Sequence, residues 1–382
     1  MNNAACKAYR CSIIRGGTSK GVFLKENELP PVGEERDRII LRLLGSPDQR
    51  QIDGLGGANS LTSKICIIGP SEREDADVDY TFGQVSVEKP IIDWQGNCGN
   101  LSSAVGLFAI DNNFVKAKEP FTKVRVYNTN TSKLLNVIVP VKNGYSVFDG
   151  DHSIPGVPGA GAKIKLEFLN PQGGVTGKLL PTGNPVDRVR TSDGKEFNIS
   201  IVDAVTPVVY IKAEEMGLTG TELPIEVERM PEILKTMEEI RSIAAELSGI
   251  VSSRADATSS SPAFPKVGFV SKAADYMNPD GVMISKHDID LVARLGSMQK
   301  MHRAYMVGGA VSTGAASKIP GTIIWEAMTE ESRERHTLRI GQPYGPMEVD
   351  IVGGKDNSFE KICVDRTARV ILDGIAYIPN NE

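Results

Sequence analysis

Histidine and cysteine, the side chains that most often hold metals or carry redox chemistry, are scarce, at 4 and 5 in 382 residues. His152, His287, His302 and His336 have no close-spaced partner, and neither H-E-x-x-H nor a paired C-x-x-C occurs, so no metal site is expected. Cys6, Cys11, Cys66, Cys98 and Cys363 are odd in number and lie in unrelated surroundings, which argues against a disulfide framework. Long apolar runs are missing too. The stretches near Ala104 to Ile110 and Val205 to Ile211 fall well short of the roughly 18 residues that cross a bilayer. The start, MNNAACKAYRCSII, lacks the basic flank and cleavage site of a secretory signal. A soluble cytoplasmic protein with no membrane partner is expected. Charge of one sign is in short supply as well: 43 basic against 48 acidic residues leave -5, the wrong sign to neutralise a row of phosphates, so nucleic acid is not an expected partner. No G-x-x-x-x-G-K-[ST] and no strand-linked G-x-G-x-x-G is present, and no cofactor is indicated.

What is there suits a globular chain. Apolar residues make up 40%, with 38 glycines besides, and the length favours two domains. Punctuated strands dominate. Cys11 to Ile14 and Val22 to Lys25 flank the glycine-rich turn Arg15 to Gly21, and Asn143-Gly144 and Asp193-Gly194 are hairpin signals. From Met347 to Ile378 the pattern reads strand, turn, strand, strand, a C-terminal β-meander. Apolar spacing predicts helices over Glu34 to Leu44, Glu228 to Leu247 and Ser285 to Met306, the last capped by Ser285. Leu101 to Ile110 is short, apolar all round and rich in small residues, the profile of a helix enclosed by other structure. SIIRGGTSKGVFLKENEL (12–29) echoes SIVDAVTPVVYIKAEEMGL (200–218), which suggests a duplicated unit, with halves 1–180 and 181–382 divided near Gly177 to Pro181. The C-terminal strands are candidates to cross back into the first half.

Most catalytic motifs fail on context. Gly17-Thr18-Ser19-Lys20-Gly21 matches the nucleophile elbow G-x-S-x-G, but a strand follows where that turn needs a helix. Gly96-Asn97-Cys98-Gly99-Asn100 stands directly before the enclosed helix. A free cysteine is usually a small buried hydrophobe. Here flanking glycines let the backbone approach a ligand, the asparagines supply donors, and a helix N-terminus favours thiolate. Lys64 closes the glycine-rich loop from Asp53 and opens the apolar run Ile65-Cys66-Ile67-Ile68, a position from which an amine can enter a cleft. Thr129 and Asn130 in YNTNTS read more readily as turn residues than as ligand contacts.

At these residues the chain resembles the 2-methylaconitate cis-trans isomerase family, whose members include 3-methylitaconate Δ-isomerase and 4-oxalomesaconate tautomerase. The likeness runs through RGGTSKGVFL, IDGLGGANSLTSK, DADVDYTFGQV, GNCGN, YNTNTSKLL, LPTGNPVD, SIVD, MHRAY and KIPGTI. It implies an α+β, diaminopimelate-epimerase-like fold: two pseudo-symmetric halves, each a curled, mostly antiparallel sheet around a central helix, with substrate between them. It implies Lys64 and Cys98 as the catalytic pair, with Ser19 and His302 lining the pocket; Thr18, Asn97, Gly99 and Asn100 are expected beside them as further substrate-binding residues. The expected activity is isomerisation of a small unsaturated di- or tricarboxylate by movement of an allylic proton, without cofactor, in a chain that would suit a homodimer. The fold's name-giving epimerases use two cysteines, one per half, whereas the second half here holds only Cys363 in an expected strand. Two other readings stand beside this one: a cofactor-free racemase or epimerase of an amino or hydroxy acid, and a carboxylate-binding protein without turnover.

Overall fold

The computed structural model describes residues 6–380. The chain forms two compact units, one running to Leu166 and taking in the C-terminal segment from Asp365, the other Glu167–Val364. The loop at Gly177 to Pro181 lies between the strands Ile164–Leu169 and Asp187–Arg190. The first unit holds β1 (Cys6–Gly16), β2 (Ser19–Lys25), α1 (Glu34–Leu44), β3 (Lys64–Pro70), β4 (Val78–Val85), α2 (Gly99–Asp111), β5 (Phe121–Asn128) and β6 (Lys133–Lys142). The second holds β7 (Glu196–Ala204), β8 (Thr206–Lys212), α3 (Pro231–Leu247), β9 (Lys266–Lys272), β10 (Leu291–Ser297), α4 (Val307–Ala316), β11 (Thr337–Gln342) and β12 (Gly345–Gly353). Strand β13 (Phe359–Arg366) carries the chain back, and β14 (Ala368–Pro379) ends it.

The same succession of pairings builds both units. In the first, β1 and β2 are antiparallel, β2 and β3 parallel, β3 and β4 antiparallel, β4 and β5 parallel, β5 and β6 antiparallel. In the second, β7 to β12 repeat that order, antiparallel and parallel in alternation. Each unit lays a mixed sheet against one central helix: α2 touches β1, β2, β5 and β6, and α4 touches β7, β8 and β12. The echoed segments 12–29 and 200–218 are the opening hairpins β1–β2 and β7–β8, each followed by a short 3-10 turn.

Local chemistry accounts for these elements. Helix α1 opens with Glu34, Glu35 and Asp37, which suit the positive end of its dipole, and ends on Gly45 at φ 73°. Its Ile39, Ile40, Leu43 and Leu44 pack on Ile65 and Ile67 of β3. The hairpin after β6 turns on Asn143 and Gly144 at φ 55° and 81°, both left-handed as its two-residue turn requires. In α2 every residue from Asn100 to Ile110 is buried, as an all-apolar helix demands.

Two expectations are corrected. Ser285 to Met306 is not a helix: Ser285 caps a 3-10 turn by accepting from His287 N, and Leu291–Ser297 is strand β10. Six successive buried residues, Leu291 to Gly296, erase the two-residue alternation that separates strand from helix. Nor is the C-terminus a meander. Only Thr367 joins β13 to β14, too few residues for a hairpin, and β14 instead pairs antiparallel with β1 from Cys6↔Pro379 to Gly16↔Ala368. Among the described residues no helix is long and apolar enough to cross a membrane.

Candidate active site

The β1–β2 turn rests on the N-terminus of α2. A Cβ at Gly16 would lie 2.5 Å from Asn100 O, and one at Gly17, whose φ is +51°, would lie 2.1 Å from Asn100 Oδ1, so the double glycine lets two backbones touch. Asn100 Nδ2 donates to Thr18 Oγ1 at 3.1 Å and Gly17 N donates to Thr367 O at 2.9 Å. Arg15 Nη1 clamps the turn by donating to Gly17 O at 3.1 Å and Thr367 O at 2.9 Å. Asn100 therefore uses its side chain on Thr18.

Cys98 is the N-cap of α2 and makes no side-chain cap bond; the first turn carries no acidic residue. The leading amides of the helix and its positive end are thus left for an anion. The Cys98 thiol donates to Ser19 Oγ at 3.8 Å. It is 8% exposed, whereas Cys66 is fully sealed. Ser102 Oγ donates to Cys98 O at 3.2 Å and to Asn97 Oδ1 at 3.5 Å, which ties the GNCGN loop to its own helix.

Strand parity delivers Lys64. Ile65 and Ile67 face α1, so Lys64 and Cys66 take the opposite face, together with their register partners Gln84 and Phe82. Lys64 Nζ donates to Gln84 Oε1 and lies 5.0 Å from the centre of the Phe82 ring. A Cβ at Gly21 would lie 2.7 Å from Leu101 Cδ1 and 3.5 Å from Lys64 Cβ, so a single glycine separates the lysine stem from the first turn of α2. The Cys66 thiol, donating to Tyr80 OH at 3.8 Å, is pushed well up by burial first and by the Cys98 sulfur next, while Tyr80 and Lys64 pull it down. Burial chiefly, then Cys66 and Cys98, also pushes the Tyr80 hydroxyl well up.

Thr18, Ser19, Lys64, Asn97, Cys98, Gly99 and Asn100 thus gather around the start of α2. His302 belongs to the second unit, between β10 and α4. Its N donates to Leu295 O at 2.8 Å and its Nδ1 accepts from Ala304 N at 3.1 Å, which puts the neutral ring's proton on Nε2. Cys363 is buried in β13. Thr129 and Asn130 are structural. Thr129 Oγ1 meets Thr81 Oγ1 at 2.7 Å, and Asn130 accepts from Phe82 N at 2.7 Å while donating to Phe82 O at 2.9 Å and Trp94 O at 2.5 Å. That amide fills the gap on β4 between its pairings with β5 and with Ile92–Asp93. Asn130→Ala is expected to lower unfolding free energy by about 2 kcal/mol, measured by urea denaturation, because it strands those backbone groups.

Gln84, Cys66, Tyr80 and Ser102 escaped sequence reasoning. The period-two signal in Tyr80-Thr81-Phe82-Gly83-Gln84 was available for Gln84, since it puts Tyr80, Phe82 and Gln84 on one face.

Two units of mixed sheet, each around a buried helix, make an α+β fold that solved epimerase and racemase structures share. A hydroxyproline epimerase structure from Agrobacterium vitis shares it at TM-score 0.54 and 12% identity, over 98% of this chain and 93% of that one. The chain belongs to the PrpF protein family, whose model matches residues 7–379. It is 47% identical to the 3-methylitaconate isomerase of Eubacterium barkeri and 37% identical to the 2-methyl-aconitate isomerase of Shewanella oneidensis, with 96% of each chain covered in both cases. A crystal structure of methylitaconate-delta-isomerase matches with TM-score 0.85 and 46% identity, over 98% of this chain and 97% of that one. The chain is an isomerase.

Proposed function

We propose that this isomerase moves an allylic proton within a small unsaturated di- or tricarboxylate of the methylitaconate, methylaconitate, aconitate or oxalomesaconate type, with Cys98 and Lys64 as the proton-transfer pair. The observation that carries the reading is the uncapped start of α2, with Cys98 at its N-cap and only Gly21 between the Lys64 stem and Leu101 of its first turn. A substrate carboxylate binds the leading amides of α2 and the Thr18, Ser19 and Asn97 side chains. Either Cys98 as thiolate or Lys64 as amine takes a proton from the carbon allylic to the double bond. The C–H electron pair becomes the new double bond, the old one shifts, and negative charge gathers on the carboxylate oxygens. The other group then protonates the far carbon, and the two side chains exchange protons with water to restore their starting states. A carbon-bound proton is a weak acid, so donors aimed at those oxygens supply much of the rate.

The second unit supports an unsymmetric reaction. Its equivalent central helix, α4, has Met306 at the N-cap where α2 has Cys98. A thioether carries no acidic proton, so the second unit's central helix does not repeat the Cys98 thiol. Five cysteines, none of them in a disulfide among the described residues, suit a reducing compartment, the cytoplasm.

The test incubates the protein in heavy water with 3-methylitaconate, 2-methylaconitate, aconitate and 4-oxalomesaconate, followed by NMR. One acid of this panel is expected to move or rotate its double bond and to gain deuterium at a single carbon. Deuteration of an amino or hydroxy acid at its α-carbon, with every unsaturated acid untouched, would instead establish a racemase. Tight binding of one acid without any exchange would establish a carboxylate-binding protein.

A further inference from the structure

We propose that Gln84 is the positioning residue for Lys64, a neutral amide that aims the amine without a charge to hold its proton. The inference rests on Lys64 as a proton-transfer group. Lys64 and Gln84 are direct register partners on β3 and β4. Gln84 Nε2 donates to Ser63 O at 2.9 Å, so the orientation of the amide is fixed and Oε1 is the atom turned to Nζ. Ser63 is held in turn. Val85 N also donates to Ser63 O, at 3.1 Å, and the Ser63 hydroxyl accepts from Gln51 Nε2 at 2.7 Å. Gln51 Oε1 accepts from Ala58 N at 2.8 Å, which fastens the same chain of bonds to the loop before β3. The acceptor for Lys64 is therefore built into rigid structure.

Apart from Cys98 in its thiolate form, the other groups around the amine carry no negative charge. Strand β2 brings Gly21 against its stem, β4 brings Gln84 and the Phe82 ring, β3 brings the Cys66 thiol with Tyr80 behind it, and α2 brings Cys98. Among the described residues no carboxylate pairs with Lys64. A glutamate at 84 would supply one and favour the ammonium form. An apolar residue there would leave four rotatable bonds of the lysine unaimed. The amide does the aiming alone, which is what a group that must give up and regain a proton in every turnover requires.

The experiment measures kcat and KM against pH for the parent, Gln84→Glu and Gln84→Met with whichever acid the parent converts, with thermal melting as the folding check. Gln84→Met is expected to lower kcat by about 10-fold to 100-fold with KM changed less than about threefold. Gln84→Glu is expected to move the Lys64 limb of the profile to higher pH by about one unit, whether Lys64 acts as base or acid. A Gln84→Glu profile that superimposes on the parent's overturns the proposal, even if Gln84→Met fails to fold. So does a folded Gln84→Met variant within about twofold of parent kcat. Lys64→Ala separates the two layers: full activity in that variant removes the proton-transfer reading itself, whereas loss of activity with an unshifted Gln84→Glu profile removes only the role of Gln84.

Discussion

Replacing Cys98 by serine lowers kcat by at least about 1,000-fold while the melting temperature stays within about 2 °C of the parent. Serine keeps the shape at the α2 N-cap and can still donate to Ser19 Oγ, which Cys98 does now at 3.8 Å. What it loses is an ionisable hydrogen: a hydroxyl does not become an anion near neutral pH even where a helix N-terminus would welcome one. The loss should fall on kcat, because the leading amides of α2 stay in place to bind the substrate. Deuterium uptake from solvent measured alongside circular dichroism separates this from misfolding. Retention of more than about a tenth of parent kcat would move the proton-transfer role elsewhere.

The part of this site that lies along one stretch of chain was legible from residues alone. A cysteine between glycines and asparagines, directly before a helix too apolar to lie on a surface, named Cys98 and its helix N-terminus together. The rest depends on register. Lys64 follows a loop that begins at Asp53, and nothing local says that its side chain takes the α2 face while Ile65 takes the α1 face. Both faces of β3 are covered, so the alternation that would have displayed the parity is gone. Gln84 was invisible for the same reason: its partner sits 20 residues earlier across a strand pair. At fold level the repeat was legible because the echoed hairpins carry their own punctuation. β10 was misread because it is buried on both faces, and β14 because its partner is the first strand of the chain.

The repeat sharpens the chemical question. Duplication puts two helix N-termini into one chain. Here Cys98 and Met306 occupy those equivalent caps, so the symmetry of the backbone survives and that of the chemistry does not. On the proposed reading the second proton-transfer group comes instead from β3 of the first unit. An amine and a thiol differ in acidity and in the direction from which they approach, which suits two different carbons of one substrate.

Truncation of that amine gives the second large effect. Lys64→Ala lowers kcat by about 1,000-fold, and primary alkylamines such as methylamine added at high concentration restore part of it. Removing the side chain opens a slot bounded by Gln84 Oε1, the Phe82 ring and the Gly21 backbone. A small ammonium ion can refill that slot, since the amide acceptor and the ring face that hold Lys64 are still there to receive it. Rescue should saturate with amine, follow the acidity of the amine across a series, and be absent in Cys98→Ser, whose missing proton an amine in this slot cannot supply. A variant that loses less than about tenfold would reduce Lys64 to a binding charge. If activity is lost but no amine restores it, exact placement by the Gln84 bond matters more than the presence of an amine, and Gln84→Met should then fall as far as Lys64→Ala.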